Sequence, residues 1–179
     1  MSREILFISD THFFYTNFLK FTRKDGTKIR PFSSINEMHE IMIEKWNKKV
    51  RPQDKVYHLG DVTFKYNHEF TELMFRLNGH KRLIVGNHDE IKNPTLLYPF
   101  EKVYMWRIFK EHNFVASHVP LHKNHFRYVD YNLHGHTHEN IVTMVEKGKE
   151  IPDPNYINNC VEVNDYEPKT IEEIKAMMK

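Results

Sequence analysis

Five short polar blocks carry residue types that hold divalent metals: Asp10-Thr11-His12, Gly60-Asp61, Gly86-Asn87-His88-Asp89, His118, and Gly135-His136-Thr137-His138. Carboxylate, imidazole and amide-oxygen donors in this mixture suit two borderline divalent cations such as manganese, iron, zinc or nickel. Asn87 offers a neutral oxygen. His88 supplies an imidazole, the side chain that exchanges protons near neutral pH, and Asp89 beside it could hold that ring in one orientation. Taken singly, an Asp-x-His or a Gly-Asp is ordinary turn punctuation. Together and in order they make a metal site the better reading.

Each block follows a short apolar run: Ile5 to Ile8, Val56 to Leu59, Leu83 to Val85, Phe114 to Ala116 and Leu133. Such runs read as short buried strands whose ends deliver the polar residues to one sheet edge. Residues 4–9 form the first strand, apolar enough to lie centrally in a sheet. Ser34-Ile35-Asn36-Glu37 is a capping box opening a helix with Ile35, Met38, Met42 and Trp46 on one face. Asn67 caps a second helix that turns Phe70, Leu73, Met74 and Leu77 toward the sheet. Asn78-Gly79 leads into the strand before Gly86. Residues 102–109 and 113–117 read as two strands joined by a polar turn, and residues 140–145 and 156–163 as further strands. Thr170 to Glu173 is a second capping box, opening a C-terminal helix. Strands alternate with helices early and pair locally later, the pattern of an α/β sandwich with mixed sheets.

The segment from Phe13 to Pro31 is aromatic and basic and leaves directly from Asp10 and His12, so it is expected to wall the site. His122, His125, Arg127, Arg23, Arg30 and Lys28 are candidates for substrate contact, each weighed against an ordinary solvated role. His58 and His134 abut the blocks and read as supporting residues. Cys160 is the one cysteine; it reads as a small core side chain, and with no partner for a disulfide it fits a reducing cytoplasm. No apolar run reaches the length of a membrane span and no charged-then-apolar leader is present. A net charge of +2 on 179 residues argues against broad polyanion binding, and the length fits one domain, residues 1–179. Thirteen histidines are many for this length. A metal protein accounts for several of them.

In this order the five blocks resemble the calcineurin-like metallophosphoesterase superfamily, over most of the chain from Asp10 to His138. Arg30-Pro31-Phe32, Trp46-Asn47, Tyr57-His58-Leu59-Gly60-Asp61, and Val161-Glu162-Val163 before Asp165-Tyr166 are similar to a small bacterial and phage branch. The resemblance implies a four-layer α/β/β/α sandwich of two mixed sheets flanked by helices, with a dinuclear metal site on loops at strand ends. It implies Asp10, His12, Asp61 and His138 around one ion and Asp61, Asn87, His118 and His136 around the other. It further implies that a metal-activated hydroxide attacks phosphorus. His88 would donate to the leaving oxygen or stabilise the transition state, with Asp89 orienting it. Manganese is the leading metal, with iron, zinc or nickel as alternatives.

No segment is long enough to form a capping domain, so the site is expected to be open and shallow. Small nucleotide or cyclic-nucleotide diesters rank slightly ahead of polymeric nucleic acid, for which the superfamily's nucleases carry extra gripping domains. Phosphomonoesters stay open, and protein phosphatase activity ranks lower for want of a peptide-docking insertion. The reading from another class is a metal-loaded or empty scaffold for protein partners. Such members typically lose the histidine of the Gly-Asn-His block, which is present here as His88.

Overall fold

A computed structural model describes residues 3–178. Strands β1 (Ile5–Ile8), β2 (Lys55–His58), β3 (His80–Ile84) and β4 (Lys102–Tyr104) alternate with helices α1 (Ile35–Lys49), α2 (His68–Arg76) and the short α3 (Pro94–Leu97). Then follow β5 (Trp106–Phe109), β6 (Phe114–Ser117), β7 (Tyr131–His134), the hairpin β8 (Thr143–Glu146) and β9 (Lys149–Pro152), and β10 (Tyr156–Asn158). The chain closes with β11 (Lys169–Thr170) and α4 (Ile171–Met177).

Two mixed sheets result. The first runs β11-β1-β2-β3-β4, with β1 to β4 parallel and β11 antiparallel to β1. The second runs β10-β7-β6-β5, with only β5 antiparallel to its neighbour. Successive side chains point to opposite faces of a strand, and the first sheet uses both faces. Leu6, Ile8, Val56 and Leu83 pack under Met38, Met42 and Trp46 of α1 and Phe70 and Met74 of α2. Phe7, Tyr57 and Ile84 face the other way, onto Phe109, Phe114, Ala116 and Leu133 of the second sheet. The outer face of the second sheet is covered by the 118–130 loop, through Phe126 and Val129 on Val115.

Local signals decide where the helices begin. The Ser34 side chain accepts from the Glu37 amide, that of Asn67 from Phe70, and that of Thr170 from Glu173. Only at Thr170 is the box reciprocal; Glu37 reaches back to Ser33 instead of the Ser34 amide. Trp46 donates its indole N–H to the Asn78 carbonyl at 2.9 Å, and the Asn47 amide donates to the Arg76 carbonyl, tying the end of α1 to the end of α2.

The expected single strand over 102–109 is two strands in different sheets. It breaks at Met105, 66% exposed, where the chain crosses from the edge of the first sheet to the edge of the second. The expected strand over 140–145 forms as β8, starting later and paired with β9, a strand not expected from the sequence. Of the run 156–163 only Tyr156–Asn158 is strand; beyond it Ser9 and Cys160 form a single parallel bridge that ties the tail to the end of β1. No helix among the described residues is long and apolar enough to cross a membrane.

His39 of α1 is buried, and its Nε2 accepts the Phe14 amide at 2.9 Å. Phe14 sits at φ +65°, two residues past His12, so this bond supports the loop that carries His12. Burial holds the His39 pKa down, from 6.5 to about 4. The unfolded chain therefore takes up a proton first as pH falls. This contribution to stability is complete above pH 6.5 and is lost between 6.5 and about 4. The expected loss is on the order of 3 kcal/mol. His39→Gln keeps an acceptor that does not titrate in this window. Denaturant melts of metal-free protein at pH 7 and 4.5 should show a smaller acid loss for the variant, and equal losses would remove His39 from the account.

Candidate metal centre

All five polar blocks lie just beyond the C-terminal ends of parallel strands, where ligands gather in open α/β sheets. The register aligns these ends: Ile8 opposes His58, His58 opposes Leu83, and Ser117 opposes His134. Pairing continues into the loops, through Asp10 N–H to the Gly60 carbonyl at 3.0 Å and His12 N–H to the Asp61 carbonyl at 3.1 Å. The Gly135 amide donates to the His118 carbonyl at 2.8 Å, which joins the two blocks of the second sheet.

Close approach explains two glycines. A Cβ on Gly86 would fall on the Asp61 carboxylate and amide, and one on Gly135 would fall on the Ser9 hydroxyl and Asp10 Oδ2. Gly86 does not adopt positive φ. It makes room for Asp61. Strain collects at the same place. Asp10, His12, Asp61, His136 and His138 all have positive φ, between 45° and 69°. L-residues disfavour that region, and strain of this kind persists where the surroundings over-determine it, often at functional sites.

Two donor groups result. Asp10, His12 and His138 bring one ligand atom each within 4.8 Å of one another, and so do Asp61, His118 and His136. Asp61 Oδ2 stands between them, 3.4 Å from His118 Nε2 and 3.7 Å from His12 Nε2. Asn87 joins the second group, its Oδ1 2.8 Å from His118 Nε2. The fit to cations is visible in atoms left without partners: Asp10 Oδ1 and both ring nitrogens of His12 are buried and unbonded. Buried polar atoms are rarely orphaned. Together with two converging groups of carboxylates and imidazoles they fit a dinuclear divalent metal site.

The surrounding bonds aim the free atoms inward. Asp10 Oδ2 accepts from the Ser9 hydroxyl, the His136 amide at 2.9 Å and the Cys160 thiol at 3.2 Å, which leaves Oδ1 as the unspent atom. His118 Nδ1 lies 2.8 Å from the Leu59 carbonyl, so Nε2 faces Asp61. Burial pushes the Asp10 carboxyl up, but neighbouring His12, His118 and Ser9 outweigh it and hold the group well below the usual range. Burial holds His12 down, keeping its imidazole neutral and ready to ligate.

His88 is exposed at the lip, its ring 5.9 Å from the His12 ring and 5.1 Å from that of Phe64. Asp89 does not orient it. The Asp89 carboxylate accepts the amides of Asp61 at 3.0 Å, Val62 at 2.9 Å and Gly86 at 2.8 Å, clamping the two loops together. Adjacent residues in this turn point apart, which is why the acid reaches the backbone and not the neighbouring ring. His58 is buried between the Thr11 hydroxyl and the Gly60 amide, and His134 lies beside the Gly135 carbonyl; both support the loops.

Arg30 is no substrate contact. It is fully buried, stacked 3.9 Å over Phe18, and donates to the carbonyls of Thr11 and Asp10 and to Glu162. Arg23 pairs with Glu139, next to His138, and pins the 13–31 segment as a wall. Lys28 is exposed along that wall, and His122, His125 and Arg127 are exposed on the loop after His118. The residues missed in the sequence are Ser9, Cys160 and Glu162. Glu162 Oε1 takes His138 Nδ1 at 3.1 Å as well as Arg30, so His138 turns Nε2 toward the site. The available signal was an acid between two valines in a run expected to be buried.

Carboxylates behind metal-ligating histidines fix their tautomer and orientation, and losing one typically costs 10–100-fold in affinity. Glu162→Gln should weaken the ion held by the Asp10, His12 and His138 group by about that factor and spare the other. Chelator competition measures it, with melting of the metal-free variant to separate lost tuning from lost folding. Unchanged affinity for both ions would make the Glu162–His138 contact incidental.

A family model for calcineurin-like phosphoesterases matches residues 3–169. An uncharacterized protein of Methanocaldococcus jannaschii is 32% identical over 179 residues, covering 99% of this chain and 92% of that one. A solved protein of unknown function from Aquifex aeolicus superposes with a TM-score of 0.70 at 26% identity, covering 99% of this chain and 100% of the other. The match spans all five polar blocks and both sheets that bring them together: the chain belongs to the calcineurin-like phosphoesterase family.

Proposed function

We propose that this chain is a two-metal phosphodiesterase whose substrates are small nucleotide-type diesters. Asp10, His12, Asp61 and His138 would hold one ion, and Asp61, Asn87, His118 and His136 the other. The observation that carries the reading is Asp61 Oδ2 standing between the His12 and His118 ring nitrogens, as a shared ligand must. Manganese is the leading metal by family resemblance; the carboxylate and amide oxygens suit it, while the imidazoles also suit iron, zinc or nickel. Two such ions, when bound, neutralise phosphoryl oxygens and acidify water.

The chain's own residues do the rest. Asp89 keeps the loops of Asp61 and Gly86 in fixed register through backbone amides. His88, exposed and within ring contact of His12 and Phe64, reaches a leaving oxygen from the solvent side and gives it a proton. Among the described residues no segment covers the rim, which supports a diester, with substituents on both sides of phosphorus, over a buried monoester. A single buried cysteine, with no second cysteine to pair with, supports a cytoplasmic setting, and one domain suffices for the activity.

The test is hydrolysis of p-nitrophenyl phosphate, its bis-ester and a dinucleotide by manganese-reconstituted protein. Faster turnover of the diesters supports the reading. Faster monoester turnover reverses the substrate preference. Failure on all three hands the site to a metal-binding scaffold for protein partners.

A further inference from the structure

The centre is flanked by a cleft on each side. On the His138 side, Phe18 packs against the His12 and His138 rings, and a cavity of about 430 Å³ lies along Phe21, Arg23 and Glu139, where the Arg23 guanidinium is already paired with Glu139. On the His118 side a cavity of about 290 Å³ begins at Asn87 and His118 and runs along Met105, Trp106 and Val119. A second, of about 240 Å³, continues to His125 and Arg127. Trp106 and Leu121 line both, so the indole is their common wall.

Trp106 opens edge strand β5, directly opposite Ser117, the residue before His118. It is 53% exposed. An indole left in water next to a metal site, with Met105 and Val119 also exposed beside it, is an apolar surface without an internal partner. At the far end Arg127 is held at φ +59° and has no hydrogen-bond or ion-pair partner among the described residues. Each cavity falls below the usual ligand pocket of about 300–1,000 Å³. Neither holds a whole nucleotide. In series they match a flat ring followed by an anion.

We infer that this cleft binds the far part of the substrate: a nucleobase lies against Trp106, and the next phosphate of a 5′-phosphorylated dinucleotide meets Arg127 and His125. The inference rests on the phosphodiesterase reading above and names its substrate class. Every base has a π-face, so stacking on an aromatic side chain tolerates any sequence. A guanidinium offers the paired donors that match phosphate geometry. An apolar peptide would fit the indole but would offer the Arg127 guanidinium no anion.

The protein has two tryptophans and Trp46 is buried, so Trp106 is the one exposed to a quencher. In EDTA-treated protein, 5′-phosphorylated diadenylate should quench Trp106 emission saturably. Arg127→Ala should weaken that binding roughly ten-fold and leave binding of unphosphorylated ApA unchanged. With manganese restored, Trp106→Ala should lower the kcat/KM ratio of dinucleotide over p-nitrophenyl phosphate roughly ten-fold or more, the scale of one lost stack. KM should carry that loss, and Trp106→Tyr should recover most of it.

No quenching by a protein that hydrolyses bis-p-nitrophenyl phosphate overturns the inference and leaves the phosphodiesterase reading standing. An equal loss on both substrates in Trp106→Ala also overturns it, because Trp106 then only supports His118. Emission that changes with protein concentration alone assigns the cleft to a second copy. Quenching without hydrolysis of any ester keeps the nucleotide cleft and retires the phosphodiesterase reading.

Discussion

Asp61→Ala should lose both metal ions and all phosphoester hydrolysis together, with elemental analysis expected to show less than one metal per chain. The reason is position. Asp61 Oδ2 is the carboxylate oxygen that approaches ligand nitrogens of both groups, His12 at 3.7 Å and His118 at 3.4 Å. Its other oxygen accepts the His88 amide at 2.9 Å, so the same side chain also holds the turn that presents Asn87. Asp61 sits at φ +56°, which Asp and Asn tolerate better than Ala. Asp61→Asn is therefore the matched control. It keeps the backbone preference and an acceptor for the His88 amide while removing the charge. Melting in EDTA should show both variants folded. Two metals retained in Asp61→Ala would break the bridging assignment and with it the ligand sets.

His88→Asn separates the chemistry from the metals. The His88 side chain makes no hydrogen bond to a described residue, while its backbone is anchored at both polar groups. Its amide donates to Asp61, and its carbonyl accepts the Tyr66 hydroxyl at 2.9 Å. Replacing an exposed side chain of this kind should change stability by no more than about 0.5 kcal/mol. Both metals should stay. Activity should fall by roughly two to four orders of magnitude, the scale of losing general acid–base help. The loss should shrink for p-nitrophenolate, which departs without a proton, and be largest for ribose or alkyl leaving groups. A uniform loss across leaving groups would assign His88 to charge stabilisation. Loss of metal would make it a ligand.

Much of this molecule was legible along the chain because the signals are local. A run such as Leu83 to Val85 followed by Gly-Asn-His-Asp encodes a buried strand and a polar turn within a few residues, whatever packs above it. Caps at Ser34, Asn67 and Thr170 act over three residues and start helices where expected. The donor types of the candidate site are likewise fixed by side-chain chemistry, so the polar blocks and their order could be read directly.

The tertiary structure alone decided which atoms those donors have left to spend. Asp10 keeps Oδ1 free because a thiol 150 positions away takes Oδ2. His138 faces inward because Glu162 holds Nδ1, and Glu162 is held by Arg30 across 132 positions. The same distance effect misled the reading of Arg30 as either a solvated residue or a substrate contact, and of Asp89 as the partner of its neighbour His88. It also hid the break of 102–109 into strands of two different sheets, since the run carries no Gly, Pro, Asn or Asp to mark a turn. A carboxylate or guanidinium in a sequence states its charge and reach, but its partner is whichever buried donor or acceptor the fold brings within about 3 Å. That choice is made by burial, where an unpaired polar group is costly.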